Sequence, residues 1–136
     1  MNDIADHVQV GDKIVKDWDK KWNNQGLLSQ LNLDELYGFF GVYRIISNKE
    51  VVYIGTASEY NEYSKRGFHK RLGDYKRNSG SSKSAKRICM NQDKLYVEII
   101  NIGSDKLSSI IADMLEAPLL VKYHPKWNNS GKKQAE

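Results

Sequence analysis

One cysteine and two prolines occur in 136 residues, and no apolar run approaches the roughly 20 residues of a membrane-spanning helix. The lone Cys89 excludes an internal disulfide framework and suits a reducing compartment. No Cys/His cluster is present to hold zinc. Neither a Ser-His-Asp ordering nor a phosphate-cradling glycine motif appears, so acyl transfer and nucleotide hydrolysis have no support. The opening MNDIADHVQVGDK lacks a basic start leading into an apolar run. No signal peptide is therefore expected, and the expected setting is the cytoplasm, away from the membrane. The length suits one domain with a modest core.

Charge is focused rather than large. The total is +4, but residues 65–87 hold nine basic side chains and one acid, Asp74. That segment is +8 and leaves the remainder at −4. Lys70, Lys76, Arg77, Lys83, Lys86 and Arg87 lie in it, interleaved with Tyr75 and a Ser/Gly-rich SGSSKS stretch. A solvated lysine-rich face is the plain reading of such a run. A surface that tracks phosphates is the functional one.

Periodicity predicts an α+β fold. Ile14, Val15, Trp18 and Trp22 recur at helical spacing, predicting a helix of about 12 residues in an N-terminal helical arm, residues 1–36. Leu27 to Leu33 would be a connector. Residues 37–130 would form the main domain, and 131–136 a flexible basic tail. Phe39–Ile46 and Val51–Ile54 predict a hairpin, and Leu95–Ile102 a third strand, giving a small three-stranded sheet. Helices are expected over about Lys65–Asn78, Lys83–Met90 and from Ser104 or Asp105 to about Ala117, where Pro118 should disturb the last one. Trp18 and Trp22 read as packing anchors, against the domain or a second subunit.

Within this frame Gly41-Val42-Tyr43 and Tyr53-Ile54-Gly55 are separated by nine residues, followed at wide spacing by Arg71, Tyr75, Glu116 and Asn128. Each alone has an ordinary explanation: strand tyrosines in a core, a solvated arginine, a glutamate on a helix's outer side. Glu116 stands in the most apolar stretch of the chain, where a carboxylate is costly unless paired or metal-bound. A single carboxylate suits Mg²⁺, which keeps most of its waters and takes further oxygens from a phosphate. Asp113, one turn earlier, is a candidate helper. Two tyrosines, an arginine, a carboxylate and an asparagine suffice for metal-assisted cleavage of a phosphodiester.

The same residues resemble the GIY-YIG nuclease superfamily over about residues 39–129. An arginine followed four residues later by tyrosine is similar to the excision-repair endonuclease that makes the 3′-side incision. Ser81 to Ala85 and the Leu115–Asn128 block resemble the phage endonuclease II group. The resemblance implies a DNA endonuclease in which Glu116 binds one Mg²⁺, with Mn²⁺ substituting, and Arg71 stabilises phosphoryl charge. Tyr43 or Tyr53 would orient or deprotonate water, Tyr75 would orient a water or phosphate oxygen, and Asn128 would hold local structure or contact phosphate. Many relatives carry lysine after the second glycine, where this chain has Thr56; Lys83, then Lys70, are the candidate replacement cations. Double-stranded DNA would be the partner, and double-strand cleavage would favour a homodimer or larger homo-oligomer, built through Trp18 and Trp22. The endonuclease II likeness suggests a phage protein degrading host DNA in the host cytoplasm. A restriction-type enzyme and a catalytically silent nucleic-acid-binding module are the alternatives.

Overall fold

The computed structural model describes residues 3–63 and 67–129. Its elements are α1 (Asp3–Asp6), β1 (Gln9–Val10), β2 (Lys13–Ile14), α2 (Val15–Trp18), β3 (Asn23–Leu27), β4 (Phe40–Ser47), β5 (Glu50–Ala57), α3 (Gly67–Lys76), α4 (Lys83–Met90), β6 (Tyr96–Gly103) and α5 (Lys106–Tyr123). A 3₁₀ turn, Lys126–Asn129, closes the described chain. The expected basic tail, residues 131–136, and the cations Lys65 and Arg66 lie outside the described residues.

The fold is α+β, and its main sheet is antiparallel in the order β3-β6-β4-β5. β-Branched residues fill β4, β5 and β6 because they pack well on a pleated surface. Side chains alternate between the two faces. Tyr43, Ile45, Val97 and Ile99 share a core with Phe68, Leu72, Tyr75, Ile88 and Trp127, beneath α3 and α4. Val42, Ile54 and Ile100 meet Ala112, Leu115 and Leu119 of α5, together with Val10, Val15 and Trp18. The sheet is thus the middle of three layers.

Three expectations need correction. The sheet has four strands rather than three, because Asn23–Leu27 pairs with β6, with a bulge between Asn24 and Gly26. That strand is polar and carries Gly26 at φ +89°, so it shows neither alternation nor β-branched enrichment. The N-terminal helix of about 12 residues is instead a two-residue hairpin, β1–β2, followed by the single turn α2. Gly11, at φ +62°, makes that hairpin turn. Finally, α5 runs through Pro118 to Tyr123. Proline removes one N–H, whose helical acceptor is the Met114 carbonyl, and Met114 is exposed to water. Burial of Leu115 and Leu119 on either side holds the helix across that gap.

Trp18 and Trp22 are both spent inside the chain. Trp18 Nε1 donates to the Val10 carbonyl at 2.8 Å, and Trp22 Nε1 to Asp19 at 2.7 Å. Asp19 also accepts from the Tyr123 hydroxyl at 2.7 Å, and Lys122 joins it to Asp6 through contacts of 2.7 and 2.6 Å. Behind this network Arg44 pairs with Glu98 at 2.7 Å and lies over the Trp22 ring. The N-terminal segment is thereby fastened to the end of α5.

Gly41 on β4 leaves no room for a side chain against β6. A Cβ there would stand 1.9 Å from the Ile100 carbonyl oxygen and 2.9 Å from the Phe68 ring. Backbone cannot rotate away as a side chain can, so Gly41→Ala should cost about 3 kcal/mol or more, at the upper end of overpacking effects. A urea midpoint within error of wild type would contradict this account of the strand pair.

Candidate active site

One glycine-dependent feature assembles the tyrosines. Tyr43 on β4 stands directly opposite Gly55 on β5. A Cβ at Gly55 would lie 2.4 Å from the Tyr43 hydroxyl, so glycine leaves the lane in which the Tyr43 ring lies. Along that lane the hydroxyl reaches Tyr75 on α3, and the two oxygens share a 2.6 Å hydrogen bond. Tyr53 completes the group, its ring stacked 6.3 Å from Tyr43 and edge-on to Tyr75.

The three hydroxyls have different access to solvent. Tyr43 is 1% exposed and Tyr75 5%, whereas Tyr53 is half-buried. Burial raises the Tyr43 hydroxyl well above the ordinary tyrosine range, reinforced by Tyr75 and Tyr53, and Arg71 opposes the shift. Burial pushes Tyr75 up as well. Both are neutral phenols over the whole physiological range.

Arg71 and Tyr75 sit one turn apart on α3 and share a side. With Tyr53, Asp74, Ser79 to Ser82 and Ala85 they line a cleft of ≈ 320 Å³. Ser82 caps α4 by accepting from the Ala85 N–H at 3.0 Å, which fixes the serine-rich rim. Arg71 is exposed and has no carboxylate within ion-pair distance among the described residues. Desolvation lowers its pKa, but Tyr43, Tyr75, Tyr53 and Asp74 outweigh that effect and the guanidinium stays charged.

Asn128 performs a different task. Its side-chain carbonyl accepts from the Ile54 N–H at 2.9 Å, and its amide donates to the Ile54 carbonyl at 2.8 Å. β5 is an edge strand, and Ile54 directs both backbone groups outward. Asn128 therefore supplies the two bonds a neighbouring strand would have made. Ser84 Oγ donates to the Trp127 carbonyl at 2.6 Å, tying the same 3₁₀ turn to α4. In the sequence Ser84 stands out only as part of the Ser81–Ala85 block, and nothing there marks its tie to the Trp127 carbonyl.

Glu116 lies on α5, the helix that packs on the other face of the sheet, within the electrostatic reach of Arg71. It is half-buried and has no cation within ion-pair distance among the described residues. Desolvation and the neighbouring Asp113 raise its pKa, while Arg71 pulls it down. Asp113 is exposed and accepts a 2.6 Å bond from Ser58. A half-buried carboxylate with a like charge beside it and no paired cation is a donor set that a hard divalent ion fits. Among the described residues no three His, Cys, Asp or Glu side chains cluster as a multi-ligand cage. Thr56 pairs with Val42 and so faces α5, not the tyrosines.

The basic residues divide. Lys70 contacts Asp74 at 3.3 Å and Glu59 at 3.5 Å, Arg77 contacts Asp74 at 3.0 Å, and Lys76 Nζ reaches the Leu31 carbonyl at 3.5 Å. Arg87 lies 4.3 Å over the Trp127 ring. Lys83 and Lys86 are exposed with no ion-pair partner among the described residues.

No protein-family model matches the chain, and no curated protein does. Among solved structures it is similar to the GIY-YIG N-terminal endonuclease domain of UvrC from Thermotoga maritima, a point mutant bound to its catalytic divalent cation. The identity is 27% over 67% of this chain and 83% of that chain, with a TM-score of 0.46.

The raised Glu116 pKa has a sign that can be tested. Between its unfolded and folded values the native state holds more of the proton, so stability falls as pH rises through the window. Glu116→Gln removes that penalty. The variant should match wild type well below the carboxylate range and be the more stable protein at about pH 7. Thermal melts across this range check it; a difference independent of pH would mean that Glu116 is not held in a desolvated site.

Proposed function

We propose that the chain is a divalent-metal-dependent endonuclease of the GIY-YIG type that hydrolyses phosphodiester bonds in DNA. The observation that carries the reading is the convergence of Tyr53, Tyr75 and Arg71 on one cleft; Glu116, which has no ion-pair partner among the described residues, is near enough to Arg71 to feel its charge. Glu116 would hold one Mg²⁺, for which Mn²⁺ substitutes, and the cation would neutralise charge on the phosphoryl oxygens and the leaving group. Arg71 donates to the phosphate and is already free of carboxylate partners.

Of the two tyrosines, burial favours Tyr53 over Tyr43 for the role at the water. Tyr43 is fully buried and its hydroxyl is committed to Tyr75, so it has no route to a water at the phosphate. Tyr53 lines the cleft beside Arg71. We assign Tyr53 to orient and deprotonate the attacking water. Tyr43 positions Tyr75, and Asn128 positions Tyr53 by fixing the backbone of the next residue, Ile54.

Lys83 and Lys86 are the cations best placed to meet phosphates, being exposed and without an ion-pair partner among the described residues. The endonuclease II likeness extends the proposal to a phage-encoded enzyme acting on host DNA. Double-strand cleavage would still call for two chains, but Trp18 and Trp22 are used internally and are not assigned as the seam.

Supercoiled plasmid incubated with Mg²⁺ should become relaxed or linear, and chelation or Glu116→Ala should abolish this. Tyr53→Phe should lower the rate by about 10²- to 10⁴-fold, the usual yield of a positioned general base, and Tyr43→Phe by clearly less. Cleavage persisting in Glu116→Ala would remove the metal assignment, and a larger loss in Tyr43→Phe than in Tyr53→Phe would reverse the tyrosine roles. Binding with no cleavage in any divalent metal would favour the silent module. Separately, Lys83→Gln with Lys86→Gln should reduce the slope of log affinity against log salt by about two. An unchanged slope would place the DNA surface elsewhere.

A further inference from the structure

Away from the candidate site, a groove of ≈ 340 Å³ opens on the sheet face that α5 leaves bare, lined by Asn24, Ile46, Asn48, Lys49, Lys94, Tyr96 and Glu98. Tyr96 stands opposite Ile46 on neighbouring strands and is 47% exposed, so its ring lies on an open strand surface. Glu98, the acid among the lining residues, is already paired with Arg44 at 2.7 Å. Lys49 and Lys94 have no carboxylate within ion-pair distance among the described residues. The groove therefore offers two ammonium groups without an ion-pair partner among the described residues, the Asn48 amide, the Asn24 amide N–H₂ (its carbonyl accepts from the Gly26 N–H at 2.7 Å) and one exposed ring.

The turn adds an independent observation. Asn48 and Lys49 both have positive φ, +51° and +68°, the geometry of a two-residue hairpin turn. Asparagine tolerates that region, but the second position ordinarily takes glycine, because a Cβ there is strained. The chain accepts this strain to place a lysine at the groove.

We propose that this groove is a second nucleic-acid contact, taking an unpaired strand with one base against Tyr96 and the flanking phosphates at Lys49 and Lys94. An exposed aromatic on a sheet face beside lysines suits stacking of an unpaired base, while the amides bond whichever base edge or sugar oxygen is presented. Duplex ends its stacking surfaces at other base pairs and cannot offer a base face to a ring on a flat sheet. The choice of nucleic acid as partner rests on the function proposed above. The contact itself requires no cleavage.

The test uses the full chain in chelator, so that no cleavage occurs, with a fluorescent oligothymidylate of about ten residues and a duplex of equal length as probes. Lys49→Gly should relieve the turn and raise the melting temperature, yet weaken oligothymidylate binding several-fold. A merely structural lysine would not lose affinity while gaining stability. Tyr96→Ala should weaken the same probe about tenfold, from loss of one stacked base, and Tyr96→Phe should restore it. Duplex affinity should change little in the two Tyr96 variants. Unchanged oligothymidylate affinity in both Lys49→Gly and Tyr96→Ala overturns the proposal, as does an equal loss of duplex and single strand in Tyr96→Ala. A wild-type chain that binds oligothymidylate through Lys49 and Tyr96 yet cuts DNA in no divalent metal would defeat the enzymatic reading and leave this contact standing.

Discussion

The hydrogen bond between Tyr43 and Tyr75 is the contact on which the candidate site depends. It exists because β5 has no side chain at Gly55, which lets the Tyr43 ring lie across the strand. The bond joins the sheet to α3, and α3 carries Arg71 one turn from Tyr75. With Phe68 and Leu72 packed in the same core, the bond helps set how α3 presents the arginine to the cleft. Two phenols kept neutral by burial are suited to holding geometry. The half-buried Tyr53 is left as the group that meets solvent.

A second constraint acts at the strand edge. β5 ends the sheet, and an unpaired edge is ordinarily a liability. Asn128 closes it at Ile54, and Ser84 fastens the same 3₁₀ turn to α4. The chain thereby protects its edge without a fifth strand and leaves the neighbouring Tyr53 accessible. On the far face the Asp19, Lys122 and Tyr123 network binds the N-terminal segment to the helix that carries Glu116. Tyr123 and Asn128 are only five residues apart, so both fastenings converge on the C-terminal end of α5.

Much of the fold was legible in sequence because β-branched alternation marks β4, β5 and β6, and serine or aspartate caps mark α4 and α5. The N-terminal third was not. Trp18 and Trp22 share helical spacing, yet Gly11 and Gly26 at positive φ break the segment into a hairpin and a bulged polar strand. Pro118 misled in the opposite sense, since the exposed Met114 and the buried flanking leucines let α5 continue. At the candidate site, the tyrosines, Arg71 and Glu116 were legible as residue types at characteristic spacing. Their division of labour was not, because access to solvent depends on how Tyr43 crosses Gly55. The basic run was legible as charge, but sequence could not separate Lys70 and Arg77, engaged with Asp74, from Lys83 and Lys86.

The central claim is that Glu116, Arg71 and Tyr53 surround one phosphate and one divalent ion. Anomalous diffraction from Mn²⁺ in crystals grown with a short DNA duplex measures this directly. The account predicts a metal peak about 2.0–2.3 Å from a Glu116 carboxylate oxygen, bridging to a phosphate that Arg71 also contacts, with the Tyr53 hydroxyl nearer the attacking side than Tyr43. A metal bound elsewhere, with Glu116 turned away from the phosphate, would contradict it.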